Sequence, residues 1–186
     1  MAPILGIIAS GNWAGANASS YSSIATANGN GSSTAITMSS IPSTYTHLQI
    51  RGILHSGRTA GTDAGLTITL NSDTAANYSW HRLTGDGASA TASGGGSKSE
   101  ILNDDIAANN TNVNYYTGFV IDILNYADTN TYKTLRALWG HDRNGAGRIC
   151  LLSGNWRSTS AVSSLTLTTD TNFSSYSSVA LYGIKG

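Results

Sequence analysis

At 186 residues the chain fits one domain, and its 11% charged residues, against about 25% in an ordinary globular protein, leave too few Glu, Lys and Arg for the wet faces of helices. Ten basic residues balance ten acidic ones, so the basic surplus that goes with a nucleic-acid partner is missing, and association between copies meets little electrostatic opposition. The single cysteine, Cys150, excludes an internal disulfide and a multi-cysteine zinc site, and within Arg148-Ile149-Cys150-Leu151-Leu152 it reads as a small buried hydrophobe.

The first ten residues carry Ile4, Leu5, Ile7 and Ile8 with no basic residue ahead of them. Pro3 and Gly6 interrupt this apolar run, which is shorter than the roughly 7–15 residues of a secretory core. It is expected to be an apolar arm that docks on its own domain or inserts into a neighbouring subunit. With the connector that holds Trp13 it makes up residues 1–19, ahead of a single β-sandwich domain over 20–186. No stretch approaches the roughly 20 apolar residues of a membrane span, so the chain is expected to be soluble, with no membrane partner.

A short strand is predicted from Tyr21 to Ala27, a hairpin turn at Asn28-Gly29-Asn30-Gly31, and a return strand from Ser33 to Ser39. A turn around Pro42 then leads into the stretch that organises the rest. Leu48, Ile50, Gly52 and Leu54 fall on one side and His47, Gln49, Arg51 and Ile53 on the other, the period of a half-buried strand. A one-residue slip would turn its apolar side to water, so this strand fixes its own register and is expected inside a sheet.

Gly57 to Gly65 reads as a polar loop, and Leu66, Ile68 and Leu70 alternate with Thr67 and Thr69 in a two-faced strand. After turn residues Asn71 to Asn77, Tyr78 to Leu83 is an aromatic strand, Gly85 to Ser99 a long Gly/Ser loop, and Ile101 to Ala108 a short helical turn capped by Asn103 to Asp105. Tyr115 to Tyr126 is predicted to lie mid-sheet, because Phe119, Ile121 and Ile123 make one apolar face and Val120 and Leu124 contribute to the other. Strands follow from Tyr132 to Trp139, Arg148 to Trp156, Ala161 to Thr168 and Ser178 to Ile184, separated by turns. About ten short strands with Gly/Asn/Asp/Ser turns point to an all-β protein, an antiparallel, jelly-roll-like β-sandwich.

No catalytic residue is nominated. The chain has no G-x-S-x-G elbow for a serine hydrolase. A glycosidase would draw its two carboxylates from Asp122, Asp128, Glu100, Asp104 and Asp105, but Asp122 is better read as the partner of Arg136 across a sheet. Asp142-Arg143-Asn144-Gly145 begins like a calcium loop yet lacks its third acidic position and closing Glu, and reads as a tight turn. His47, His55, His81 and His141 show no metal-ligand spacing, so no metal and no cofactor are expected. Trp13, Trp80, Trp139 and Trp156 could stack on sugars, although core or subunit interface is the favoured place for each.

Residues 39–52 (SSIPSTYTHLQIRG), 70–81 (LNSDTAANYSWH) and 176–186 (YSSVALYGIKG) resemble a family of small virion-associated proteins of tailed bacteriophages, as do 3–10 (PILGIIAS) and 120–127 (VIDILNYA). These motifs carry no known chemistry, and no catalytic residue transfers with them. The resemblance implies a non-enzymatic virion structural protein and leaves head, neck and tail open; the favoured reading is a capsid decoration or head-fibre subunit made in the host cytoplasm and placed on the particle surface. That reading expects a homotrimer or other homo-oligomer in contact with capsid or tail proteins, with the apolar arm and connector, through Ile4, Leu5, Ile7, Ile8 and Trp13, as its anchor. The alternative is a tail-associated adhesin for a host surface glycan or receptor, with Arg58, Asp63, Asp86 and Lys98 on its recognition loops.

Overall fold

The computed structural model describes residues 20–108 and 114–186, with the backbone alone for 102–105. Its described residues form twelve strands in two antiparallel sheets packed face to face, an all-β sandwich. Numbered in chain order, the larger sheet runs β1 (Tyr21–Asn28), β12 (Ser178–Ile184), β3 (His47–Leu54), β8 (Thr117–Leu124), β9 (Lys133–Asp142), β10 (Gly147–Trp156), β5 (Tyr78–Gly85) and β6 (Ala90–Lys98). The smaller runs β2 (Ala35–Met38), β11 (Leu165–Thr169), β4 (Asp63–Leu70) and β7 (Ile101–Ala107).

The organising stretch is the inner strand its alternation predicts. β3 lies between β12 and β8, with Ile50 opposite Leu181 on one side and Ile121 on the other. Leu48, Ile50 and Leu54 are fully buried while Arg51 and Ile53 face out. Each such aliphatic contributes about 1.5–3 kcal/mol by leaving water, which is what penalises a slipped register. The Pro42 turn is held from β8's end: buried Tyr126 donates its O–H to the Pro42 carbonyl and accepts the Tyr45 N–H at 3.4 Å.

Between the sheets, Ile36, Leu66, Ile68, Leu70, Leu165 and Leu167 of the smaller sheet meet Ile121, Ile123, Leu135, Trp139, Leu152 and Leu181 of the larger. Cys150 is buried here, and Trp80, Trp139 and Trp156 belong to this core rather than to the surface. Trp13 lies outside the described residues.

Three local expectations are corrected. Asn28 to Gly31 is not a hairpin turn, because β1 pairs with β12 in one sheet and β2 with β11 in the other, so the segment crosses between sheets. The loop expected from Gly85 to Ser99 is mostly β6, an edge strand exposed on both faces, whose Gly/Ser/Ala composition therefore shows no apolar period. Ile101 to Ala108 is not a helical turn. It is β7, paired with β4 from Ile68–Ile101 to Asp63–Ala107, and the turn-forming Asn103-Asp104-Asp105 coincide with the register shift between those ends.

Candidate functional site

The two outer faces of the sandwich differ in chemistry. On the smaller sheet the outward positions are threonines: Thr67 and Thr69 on β4, Thr166 and Thr168 on β11 and Thr37 on β2, with Thr37 and Thr166 hydroxyls 3.0 Å apart. That is an ordinary solvated sheet surface. On the larger sheet, register lines Leu83, Leu151, Leu138 and Val120 into one continuous row across four strands. The neighbouring row reads Gly85, Ile149, Gly140, Gly118 and Ile53.

Side chains on one row and glycines on the next make a ridge beside a trough. The trough, of about 580 Å³, is bounded by Gly118, Val120, Leu138, Gly140 and Ile149. A second trough of about 600 Å³ on the ridge's other side is walled by His81, Asp122, Arg136 and Ser153. Tyr21, Ile53, Leu83, Leu138, Ile149 and Leu151, each 41–59% exposed, all stand on this face.

Four polar residues of this face, Asp122, Arg136, Gln49 and Arg51, are paired with one another. Asp122 pairs with Arg136 across β8 and β9 at 3.3 Å, as the sequence suggests, and accepts the Gln49 amide at 2.7 Å. Arg51 donates to Gln49 Oε1 and lays its guanidinium over the rings of Tyr21 and Tyr182. Asp122 is thereby held as an acceptor between an amide and a guanidinium. The apolar ridge beside it has no such partner among the described residues.

A second constellation sits at one end of the sandwich. Asp63, expected in a loop, is the first residue of β4, and its Oδ1 lies 3.1 Å from His141 Nε2. Arg148 and Arg143 reach the same carboxylate at 3.6 and 3.8 Å. On the imidazole's other side, Nδ1 is 3.2 Å from Thr117 Oγ1, which accepts the Ala107 N–H at 2.7 Å. Burial lowers the pKa of His141 more than Asp63 raises it. A neutral ring gives one consistent direction on this side, Ala107 N–H to Thr117 and Thr117 O–H to Nδ1, while Nε2 and Asp63 Oδ1 lie close together without hydrogen-bond alignment.

A hydroxyl, an imidazole and a carboxylate in succession imitate the composition of a hydrolase triad. Here, however, Thr117 and the His141 side chain are buried, and the Thr117 hydroxyl is committed to Ala107 and His141. The arrangement ties β4 and β7 of one sheet to β8 and β9 of the other. No family model, curated protein or solved structure matches this chain.

Among the other nominated residues, Arg58 donates from Nη1 to the Asp63 carbonyl at 3.2 Å and to Asp170 at 3.1 Å, an exposed pair of small energetic weight. Asp86 caps the β5–β6 turn, and the N–H groups of Ser89 and Ala88 hold its carboxyl below the usual range. Arg58, Asp63 and Asp86 thus gather at one end of the sandwich, whereas Lys98 closes β6 at the opposite end, across from Tyr78. They do not form one recognition surface. Ile4, Leu5, Ile7 and Ile8 lie outside the described residues, and so do the side chains of Asp104 and Asp105.

Proposed function

We propose that this protein is a non-enzymatic structural subunit of a bacteriophage particle, a capsid decoration or head-fibre subunit that works by packing. The observation that carries the reading is the apolar ridge of Leu83, Leu151, Leu138 and Val120 on the outer face of the eight-stranded sheet, beside a glycine-floored trough. Covering the exposed part of each large aliphatic there gains about 1 kcal/mol, and the threonine face of the smaller sheet offers no comparable gain.

The occupant of this face is a second copy of the chain. A ridge and a trough of matching apolar character lie side by side on one surface, so the ridge of one copy fits the trough of the next. The formal net charge of zero leaves little repulsion between copies. The resemblance to phage virion proteins supplies the particle, and the apolar arm with Ile4, Leu5, Ile7 and Ile8 supplies an anchor to capsid or tail proteins.

Imaging of purified particles tests this directly. Many symmetrically placed copies on the particle surface, with the ridge face covered, support the reading. A chain missing from particles, or present with that face bare, overturns it.

A further inference from the structure

The outer face of the eight-stranded sheet is complementary to itself in one register. Two residues along each strand from the ridge of Leu83, Leu151, Leu138 and Val120 stand Gly85, Ile149, Gly140 and Gly118. Rows so related lie about 7 Å apart on one face. A second copy turned over about a twofold axis that runs between these rows, in the plane of contact, brings each row onto the other. Leu83 then stands over the partner's Gly85, Leu138 over the partner's Gly140 and Val120 over the partner's Gly118, while Leu151 meets the partner's Ile149. Both ridges and both troughs are filled at once. A head-to-tail arrangement would leave a bare ridge at one end and a bare trough at the other.

The same axis pairs opposite charges. Along β9 the outward positions include Arg136, Leu138, Gly140 and Asp142, so the exchange that sets Leu138 on glycine sets Arg136 opposite the partner's Asp142. The Arg136 side chain is 65% exposed, and Asp142, also exposed, uses Oδ1 to accept the Asn144 N–H at 2.7 Å. Twofold symmetry makes this pair twice. The trough walled by His81, Asp122, Arg136 and Ser153 offers no such match, since an axis on that side would set Leu138 on Arg136 and Val120 on Asp122 and strip water from both charges.

Gly118 gains nothing inside its own chain from lacking a side chain. A Cβ placed there meets nothing within 4 Å, and its φ is not left-handed. Yet it lies in β8, in the middle of the sheet, where glycine weakens a strand and marks the close approach of another chain. Gly85 likewise would make only ordinary contact, with Ile149 at 3.5 Å. Gly140 differs: a Cβ there would stand 2.9 Å from the Arg148 carbonyl, so its own sheet requires it too.

We propose, resting on the reading that this face packs against a second copy, that two copies close into a twofold dimer with each ridge seated in the other's glycine trough, and that Gly118 admits the partner.

The test is sedimentation velocity of the full chain and two variants. The wild type is expected to reach a dimer and stop there. Gly118→Leu, whose side chain has room in its own subunit, is expected to raise the dimer Kd by at least about tenfold without lowering the thermal midpoint. Asp142→Asn keeps the oxygen that holds Asn144 and is expected to raise the dimer Kd about threefold at low salt, an effect that salt removes. A wild-type dimer that either variant leaves equally tight at low salt overturns this register while leaving the ridge as the contact. Species that keep growing past the dimer overturn the closed symmetry. A wild type that stays monomeric overturns the packing reading itself.

Discussion

His141 Nε2 lies 3.1 Å from Asp63 Oδ1, and through this contact β9 of the larger sheet is fastened to β4 of the smaller. Thr117 extends the link to the Ala107 N–H of β7, so one buried imidazole bridges two strands of each sheet. Interdigitated apolar side chains hold the sheets face to face, and this polar cluster adds a second, chemically distinct tie at one end.

Removing the Thr117 hydroxyl strands the Ala107 N–H and His141 Nδ1, and removing the Asp63 carboxylate leaves Arg143 and Arg148 facing the buried imidazole without their counter-charge. Asp63→Ala and Thr117→Val are each expected to lower the free energy of unfolding by about 1–3 kcal/mol, measured by urea denaturation with tryptophan fluorescence. Losses near zero for both would show that the sheets are located by apolar packing alone.

Stability is expected to fall on mild acidification. Burial lowers the pKa of both His55 and His141 from 6.5, so between that value and their folded values the unfolded chain takes up protons that the folded chain refuses. The stabilisation is complete above pH 6.5 and is lost as pH falls through that window. His55→Phe is expected to flatten part of the slope. A second loss belongs below pH 3.8, where the carboxyl of Asp73, held down by its bonds from Asn77 and Trp156, takes up its proton. Urea midpoints recorded across pH check both windows, and a flat profile from pH 7 to pH 5 would contradict the first.

Lys133 is fully buried, and its ammonium donates to the carbonyls of Asp128 at 2.5 Å, Thr131 at 2.7 Å and Thr159 at 3.3 Å. It closes the β8–β9 turn onto the segment that follows β10. Lys133→Met keeps most of the volume but abandons three carbonyls, with an expected loss of about 2–3 kcal/mol in the same denaturation assay.

Strands with one wet and one dry face were legible in the sequence, because alternation is a local property. β3, β4 and β12 appear where Leu48–Leu54, Leu66–Leu70 and Val179–Leu181 alternate. β6 shows no alternation because both of its faces are wet, and turn-forming residues at its register shift disguise β7. The Asp122–Arg136 pair was readable because neighbouring strands bring the two together on one face. The Asp63–His141 contact was not, since it crosses between sheets and no residue spacing encodes it. The ridge likewise exists only once register aligns Leu83, Leu151 and Leu138. In the chain, Ile149-Cys150-Leu151-Leu152 is a plain apolar run that hides which members face out.

Deleting residues 1–10 is expected to abolish incorporation into particles while leaving the unfolding midpoint unchanged. Particle-bound protein, quantified by gel against the wild type, is the readout. Wild-type occupancy after the deletion would remove the anchoring role of Ile4, Leu5, Ile7 and Ile8.

Sedimentation velocity of the full chain across a range of concentrations tests the ridge itself. The wild type is expected to sediment as an oligomer, and the double variant Leu138→Lys, Leu151→Lys as a monomer with unchanged circular dichroism, since both side chains already face outward. A wild type that stays monomeric throughout, or a double variant that assembles as the wild type does, would contradict packing through this face.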